Sequence, residues 1–254
     1  MFFLLVLKRL MGEEYKMIST NISLYAIFVL LAIMSGLLFI SQNLKKTDYR
    51  EEERIGLLVY IALGFLFGAK YYSFLQNPQQ YNGIFHFSKV GLSSYGALIG
   101  IIILLFLFSK QYKKPFQNLI MMILPALPLM YGIGKIGCFL VGCCYGIEYD
   151  GPFNITYHHS YSAPNGVSVF PIQLLESIVF LGIFLWMYLK KKPCNIKEIG
   201  QMIFVCAISK FLLNFLRMED IEHFISLNQV LSIICIVIGF VLMIHKEKLV
   251  KKSK

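Results

Sequence analysis

Seven stretches, each of about twenty mostly apolar residues, dominate this chain, and that length is what a helix needs to cross a bilayer. They run roughly Ile22–Ser41, Ile55–Phe74, Leu92–Ser109, Phe116–Ile136, Phe170–Leu189, Glu198–Leu216 and Leu227–His245. A backbone in lipid must satisfy its own hydrogen bonds, so such runs form helices, and no alternating barrel pattern competes. The sequence therefore predicts an all-α polytopic membrane protein with seven transmembrane helices. A composition 57% hydrophobic and only 15% charged agrees. Residues 22–246 read as a single seven-helix membrane domain, followed by a basic tail at 247–254. Residues 1–21 receive no role, because the apolar core before Lys8-Arg9 is too short for a span and Met17 is a second candidate start.

Lysine and arginine set the orientation. They concentrate after spans one, three and five and in the tail after span seven, which puts those segments and the C-terminus in the cytoplasm and the N-terminus outside. The net charge of +10 thus belongs to loops that face anionic lipid, and nucleic acid is not an expected partner.

Within this frame the stretch Tyr131–Gly146, YGIGKIGCFLVGCCYG, stands apart for its glycines, its lysine and three of the six cysteines. Continued as helix, it would carry Lys135, Cys138, Gly142 and Tyr145 on one stripe. Two readings stay open: a cationic surface for an anionic headgroup, or a packing seam whose lysine reaches water. Pro125 and Pro128 predict a kink in the span before it.

The topology brings polar residues to one depth near the outer leaflet. Tyr25, Lys70, Ser93, Ser94, Tyr95, Lys135, Cys138, Gln173, Glu176 and Gln229 lie at the outer ends of their spans. Span six carries Cys206, Lys210, Asn214 and Arg217 on one stripe. Lys70 and Arg217 can snorkel to the interface, and Tyr25 and Tyr95 suit an aromatic belt. Lys210 and Glu176 lie deeper, where an ionisable group costs roughly 2.5–3.5 kcal/mol and marks function. The expectation is a polar cavity open to the outer leaflet, with Lys135 and Lys210 pointing into it. Three lysines at one level, Lys70, Lys135 and Lys210, suit a phosphate-bearing lipid. Cys138, Cys143 and Cys144, with His158 and His159, match no common zinc spacing, so no metal is expected there, while a disulfide suits an oxidising outer face.

These motifs resemble the bacterial prolipoprotein diacylglyceryl transferases. The segment GKIGCFLVGCCYG is similar to that family's Gly-Arg-Ile/Leu-Gly-Asn-Phe-x-Asn-Gly-Glu-x-x-Gly signature. Gly91–Gly100 (GLSSYGALIG), Pro171–Glu176 (PIQLLE) and Ser226–Ser232 (SLNQVLS) follow the family's order around it. The resemblance implies a seven-helix enzyme of the bacterial cytoplasmic (inner) membrane. Such an enzyme moves the diacylglyceryl group of phosphatidylglycerol, or a related anionic phospholipid, onto a lipobox cysteine at the signal peptide of a prolipoprotein. No cofactor is implied. Tyr25, Gln173, Glu176, Arg217 and Gln229 match the family. The family's histidine is replaced by Tyr95, its signature arginine, asparagine and glutamate by Lys135, Cys138 and Cys143, and its span-six arginine and tyrosine by Lys210 and Cys206. Tyr95, Lys135 and Lys210 are the expected catalytic positions. Tyr25, Lys70, Cys138, Gly142, Gln173, Glu176, Asn214, Arg217 and Gln229 are expected around the substrate. Two alternatives remain at this level. One is a lipid-binding paralogue without chemistry, and the other is a thiol-redox membrane enzyme using Cys138, Cys143 and Cys144.

Overall fold

The computed structural model describes residues 20–76, 93–160, 162–190, 195–218 and 226–244. The start of the chain, the connector holding Pro78, Gly91 and Leu92, the Lys191-Lys192 turn, the link between spans six and seven, His245 and the basic tail lie outside the described residues.

Eight helices account for most of the described chain: α1 Thr20–Leu44, α2 Glu51–Gln76, α3 Ser94–Tyr112, α4 Phe116–Ile123, α5 Ala126–Val141, α6 Ile172–Leu189, α7 Ile196–Asn214 and α8 Leu227–Ile244. Two short strands, β1 Ile155–Thr156 and β2 Ser168–Val169, pair antiparallel in the segment between α5 and α6. Among the described residues, five segments are long and apolar enough to cross a membrane: Leu24–Leu44, Glu51–Leu75, Ser94–Tyr112, Phe116–Val141 and Ile172–Leu189. The chain is a helical membrane protein.

The expected span four divides into α4 and α5 at Leu124–Pro125, since proline cannot donate to the preceding turn. The helix after it stops at Val141, where Gly142 takes a left-handed conformation at φ 75°. Gly142 and Tyr145 therefore leave the stripe that a continued helix would have given them. The cause is a left-handed cap, in which Gly142 and Cys143 both donate their N–H groups to Cys138 O.

The helices pack through small residues. On α2, Gly64 and Gly68 face Gly96 and Gly100 of α3, and a Cβ on Gly100 would press against Gly64 O and sit 2.7 Å from Gly68 Cα. Gly200 and Gly239 let α7 and α8 meet in the same way. α5 packs between α1 and α6. A buried apolar cluster of Ile40, Leu44, Leu57, Ile61, Ile101, Leu105, Phe108, Leu119 and Ile123 ties α1 through α4 together. At the same end, Lys114 Nζ bonds Glu53 Oε2 at 2.8 Å.

Gly100→Leu should wedge α2 from α3 and cost about 1–3 kcal/mol. Gly182→Ala, where a Cβ meets nothing within 4 Å, should be neutral or stabilise by up to about 1 kcal/mol. Thermal unfolding of the two variants in detergent compares them directly.

Candidate active site

Glu176 is the centre of the polar interior. It lies one turn into α6 and is 0% exposed. The motif PIQLLE sets Gln173 and Glu176 on one face, and Pro171 opens the helix, where its missing N–H costs nothing. Each carboxylate oxygen takes an ammonium. Lys135 Nζ stands 2.5 Å from Oε2, and Lys210 Nζ stands 2.6 Å from Oε1. Lys135 comes from α5 and Lys210 from α7, so one side chain joins three helices.

Tyr131, one turn before Lys135, completes the arrangement. Its hydroxyl donates to Glu176 Oε1 at 2.7 Å and accepts from Lys210 Nζ at 2.6 Å. Both ammonium groups also stand over its ring, at 5.3 and 5.1 Å from the centroid. The sequence motifs assign Tyr131 no role. Its i, i+4 spacing from Lys135 was the available signal.

Arg217, just past α7, is buried and acts electrostatically on Glu176 and Lys210. Among the described residues, Lys135 and Lys210 set two positive charges on the one carboxylate of Glu176, and Arg217 acts on the same carboxylate. Beside them Asn214 is 0% exposed, and neither its Oδ1 nor its Nδ2 finds a partner among the described residues. Gln173 Oε1 is likewise unpaired. Buried amide groups without partners are costly, and they suit a polar ligand that supplies the missing bonds.

The turn after α5 is braced from several sides. Gln173 Nε2 donates to Cys143 O at 2.9 Å, Met218 N to Tyr145 O at 3.3 Å and Ile147 N to Leu216 O at 3.1 Å. Tyr157 donates its hydroxyl to Phe139 O at 2.9 Å, and burial pushes its phenol above the ordinary range. Gly146 admits no side chain, because a Cβ would strike Phe170 O and Leu216 O. Within this turn Cys138, Cys143 and Cys144 are free thiols whose sulfur atoms all lie within 4.8 Å of one another. Tyr25 of α1, beside Gly137, is in electrostatic reach of all three and of Lys135.

The other expected residues stand differently. Tyr95 bonds α8, at 3.1 Å from Asn228 O and 2.6 Å from Ser232 Oγ. Gln229 serves the start of α8. Its Oε1 accepts from Ser226 N at 2.9 Å, and its own N–H donates to Ser226 Oγ at 3.2 Å. That is a capping box, legible in the spacing Ser-x-x-Gln but overlooked in favour of a binding role. Gly142 shapes the turn rather than offering a contact, since a Cβ there would meet Ser160 Oγ and Tyr157. Lys70 is half-buried on α2, the helix paired with α3.

The sequence matches the family model for prolipoprotein diacylglyceryl transferase over residues 15–245. The chain belongs to the prolipoprotein diacylglyceryl transferase family. Among its relatives, phosphatidylglycerol–prolipoprotein diacylglyceryl transferase 2 of Clostridium perfringens is 30% identical over 228 residues, covering 85% of this chain and 87% of that protein. The phosphatidylglycerol–prolipoprotein diacylglyceryl transferase of Clostridium tetani is 25% identical over 226 residues, with 85% and 89% covered. The Francisella tularensis enzyme of the same name is 27% identical over 250 residues, with 91% of each chain covered.

Glu176→Gln should leave two buried ammonium groups side by side and cost about 3–5 kcal/mol. Tyr131→Phe removes only the hydroxyl contacts and should cost about 1–3 kcal/mol. Unfolding midpoints in detergent for the two variants give the ranking, and a Glu176→Gln protein as stable as the parent would refute the ion-pair account.

Proposed function

We propose that this chain transfers the diacylglyceryl group of phosphatidylglycerol to the cysteine thiol of a prolipoprotein lipobox. The observation that carries the reading is the pair of buried ammonium groups, Lys135 and Lys210, on one buried carboxylate that Arg217 also faces electrostatically, in a bundle whose outer faces are apolar. A lipid phosphate is the anion that such a bundle meets. The bacterial relatives are named for these two substrates.

In this reading the chain sits in the bacterial cytoplasmic membrane with seven spans, the N-terminus outside and the C-terminus in the cytoplasm. α7 and α8 complete the seven. The positive charge of α7 at Lys210 is tolerated because Glu176 neutralises it. The site opens to the outer leaflet.

The lipid phosphate lies against Lys135, Lys210 and Arg217, with Asn214 and Gln173 offering their free amide atoms to phosphate or glycerol oxygens. The acceptor thiolate attacks the glyceryl carbon that carries the phosphate oxygen. A carbon–sulfur bond forms and the carbon–oxygen bond breaks, and glycerol phosphate departs with the bonding pair. Negative charge grows on that oxygen, and fixed ammonium and guanidinium groups in a low-dielectric site stabilise it without reorganising. Glu176 keeps both lysines aimed at one point. Tyr25 borders the thiol side, while Tyr95 and Gln229 hold α3 and the start of α8 in place. Lys70 contributes to the field at the lipid entrance.

Purified protein in lipid, given labelled phosphatidylglycerol and a lipobox peptide, should yield peptide carrying thioether-linked diacylglycerol. Lys210→Met should abolish this product in protein that remains folded, because Lys135 still neutralises Glu176. Lys210→Arg should keep or raise activity by restoring a planar two-point donor. Turnover per folded molecule is the measurement, and near-parental turnover in the methionine variant would remove Lys210 from the chemistry.

A further inference from the structure

The transfer described above needs an acceptor thiolate, yet the lysine–glutamate cluster supplies no base for it. Tyr95 uses its hydroxyl on Asn228 O and Ser232 Oγ of α8. The group beside Lys135 is instead a set of three thiols.

We propose that Cys138, Cys143 and Cys144 hold one thiophilic cation of the zinc(II) class, whose open fourth position receives and activates the acceptor cysteine thiol. This rests on the transferase reading for its second half, and on the cysteine geometry alone for its first.

Three sulfurs bound to one zinc ion at about 2.3 Å stand roughly 4 Å apart. The three here already lie within 4.8 Å of one another, so closing on an ion needs only small side-chain rotations. Their backbone is fixed in advance. Gly142 and Cys144 take left-handed conformations, at φ 75° and 55°, which turn successive side chains back toward Cys138. Gln173, Met218 and Tyr157 brace that turn through the hydrogen bonds already described. A non-glycine residue in the left-handed region is strained, and the packing holds Cys144 there.

Charge favours the ion as well. Lys135 alone would repel a cation, and this adds to the uncommon cysteine spacing that predicts no metal from the sequence. Three thiolates with one divalent ion carry a net charge of −1, however, and Lys135 and Arg217 both act on Cys144. His158 and His159 are exposed on the loop and stand outside the cluster.

Three protein ligands and an open position are the pattern of a catalytic zinc site, and a thiol that coordinates zinc loses its proton. The acceptor R–SH would bind as thiolate, with its proton passing to solvent. Its sulfur pair then attacks the glyceryl carbon while the phosphate rests on Lys135, one helical turn from Cys138. The carbon–oxygen bond breaks, and glycerol phosphate leaves with that pair. Metal oxidation state is unchanged, and no oxidant is consumed. The cysteines are not themselves covalent carriers, because a diacylglyceryl group on any of them would be a thioether, the same stable bond as the product.

The test uses the full chain in lipid nanodiscs, reduced and stripped of metal, titrated with Co²⁺ as a coloured zinc substitute. One equivalent should bind with a thiolate charge-transfer band, Zn²⁺ should displace it, and a lipobox peptide with a free thiol should shift the band. Cys144→Ser should lose the band and Cys235→Ser should keep it. As a check free of any variant, Zn²⁺ should protect three thiols of the parent protein from alkylation, counted by mass. No stoichiometric binding, or a disulfide among the three cysteines in the active protein, overturns the site. Binding that ignores the peptide thiol, with transfer insensitive to a chelator, overturns the activation role. Binding and a peptide response without any transfer of diacylglycerol would leave the metal site standing and defeat the transferase reading instead.

Discussion

A single carboxylate with an ammonium on each oxygen organises the interior of this protein. Glu176 is fully buried, and Lys135 and Lys210 are buried beside it. None of the three is tolerable alone at membrane depth, where an unpaired charge meets hydrocarbon instead of water. Together they also join α5, α6 and α7 at one point, and Tyr131 fills the space between the two lysines. The interaction is therefore structural and functional at once. It holds the helices in register, and because two ammonium groups share the one carboxylate among the described residues it leaves positive charge to offer an anion.

The surrounding packing lets that cluster form. Lipid gives helices no hydrophobic reason to associate, so close backbone approach at small residues takes over. Gly64, Gly68, Gly96 and Gly100 join α2 to α3, and Gly200 and Gly239 join α7 to α8. The turn after α5 then links the two functional halves. Gln173 sits three residues before Glu176 and also bonds Cys143 O, so one face of α6 fixes both the ion pairs and the cysteine turn. A shift of α6 would move the phosphate cluster and the thiols together.

Several residues expected around the substrate also shape the chain. Gln229 closes a capping box with Ser226, and Gly142 ends α5 in a left-handed turn. Recurrence of a motif in a family does not separate a residue that touches substrate from one that sets a helix end. Tyr131 shows the converse. An aromatic residue in an apolar helix carries no sign of function until its hydroxyl is seen between a lysine and a glutamate.

The sequence by itself determined the helical membrane character of this protein, the break at Pro125 and the one-face pairing of Gln173 with Glu176. Each follows from local physics: the length of apolar runs, the missing proline N–H, and the helical repeat. It also pointed to Lys135 and Lys210 as buried charges of one site. Tertiary structure alone decided that both belong to the same carboxylate, since residues 135, 176 and 210 are joined only when three helices pack. The end of α5 at Val141 was likewise a tertiary matter. Gly142 is compatible with a continuing helix in lipid, and the turn is chosen by the bonds that Gln173, Met218 and Tyr157 make across it. The same turn gathers Cys138, Cys143 and Cys144, whose linear spacing matches no common zinc motif. Sequence distance says little about sulfur positions once left-handed residues fold the chain back on itself.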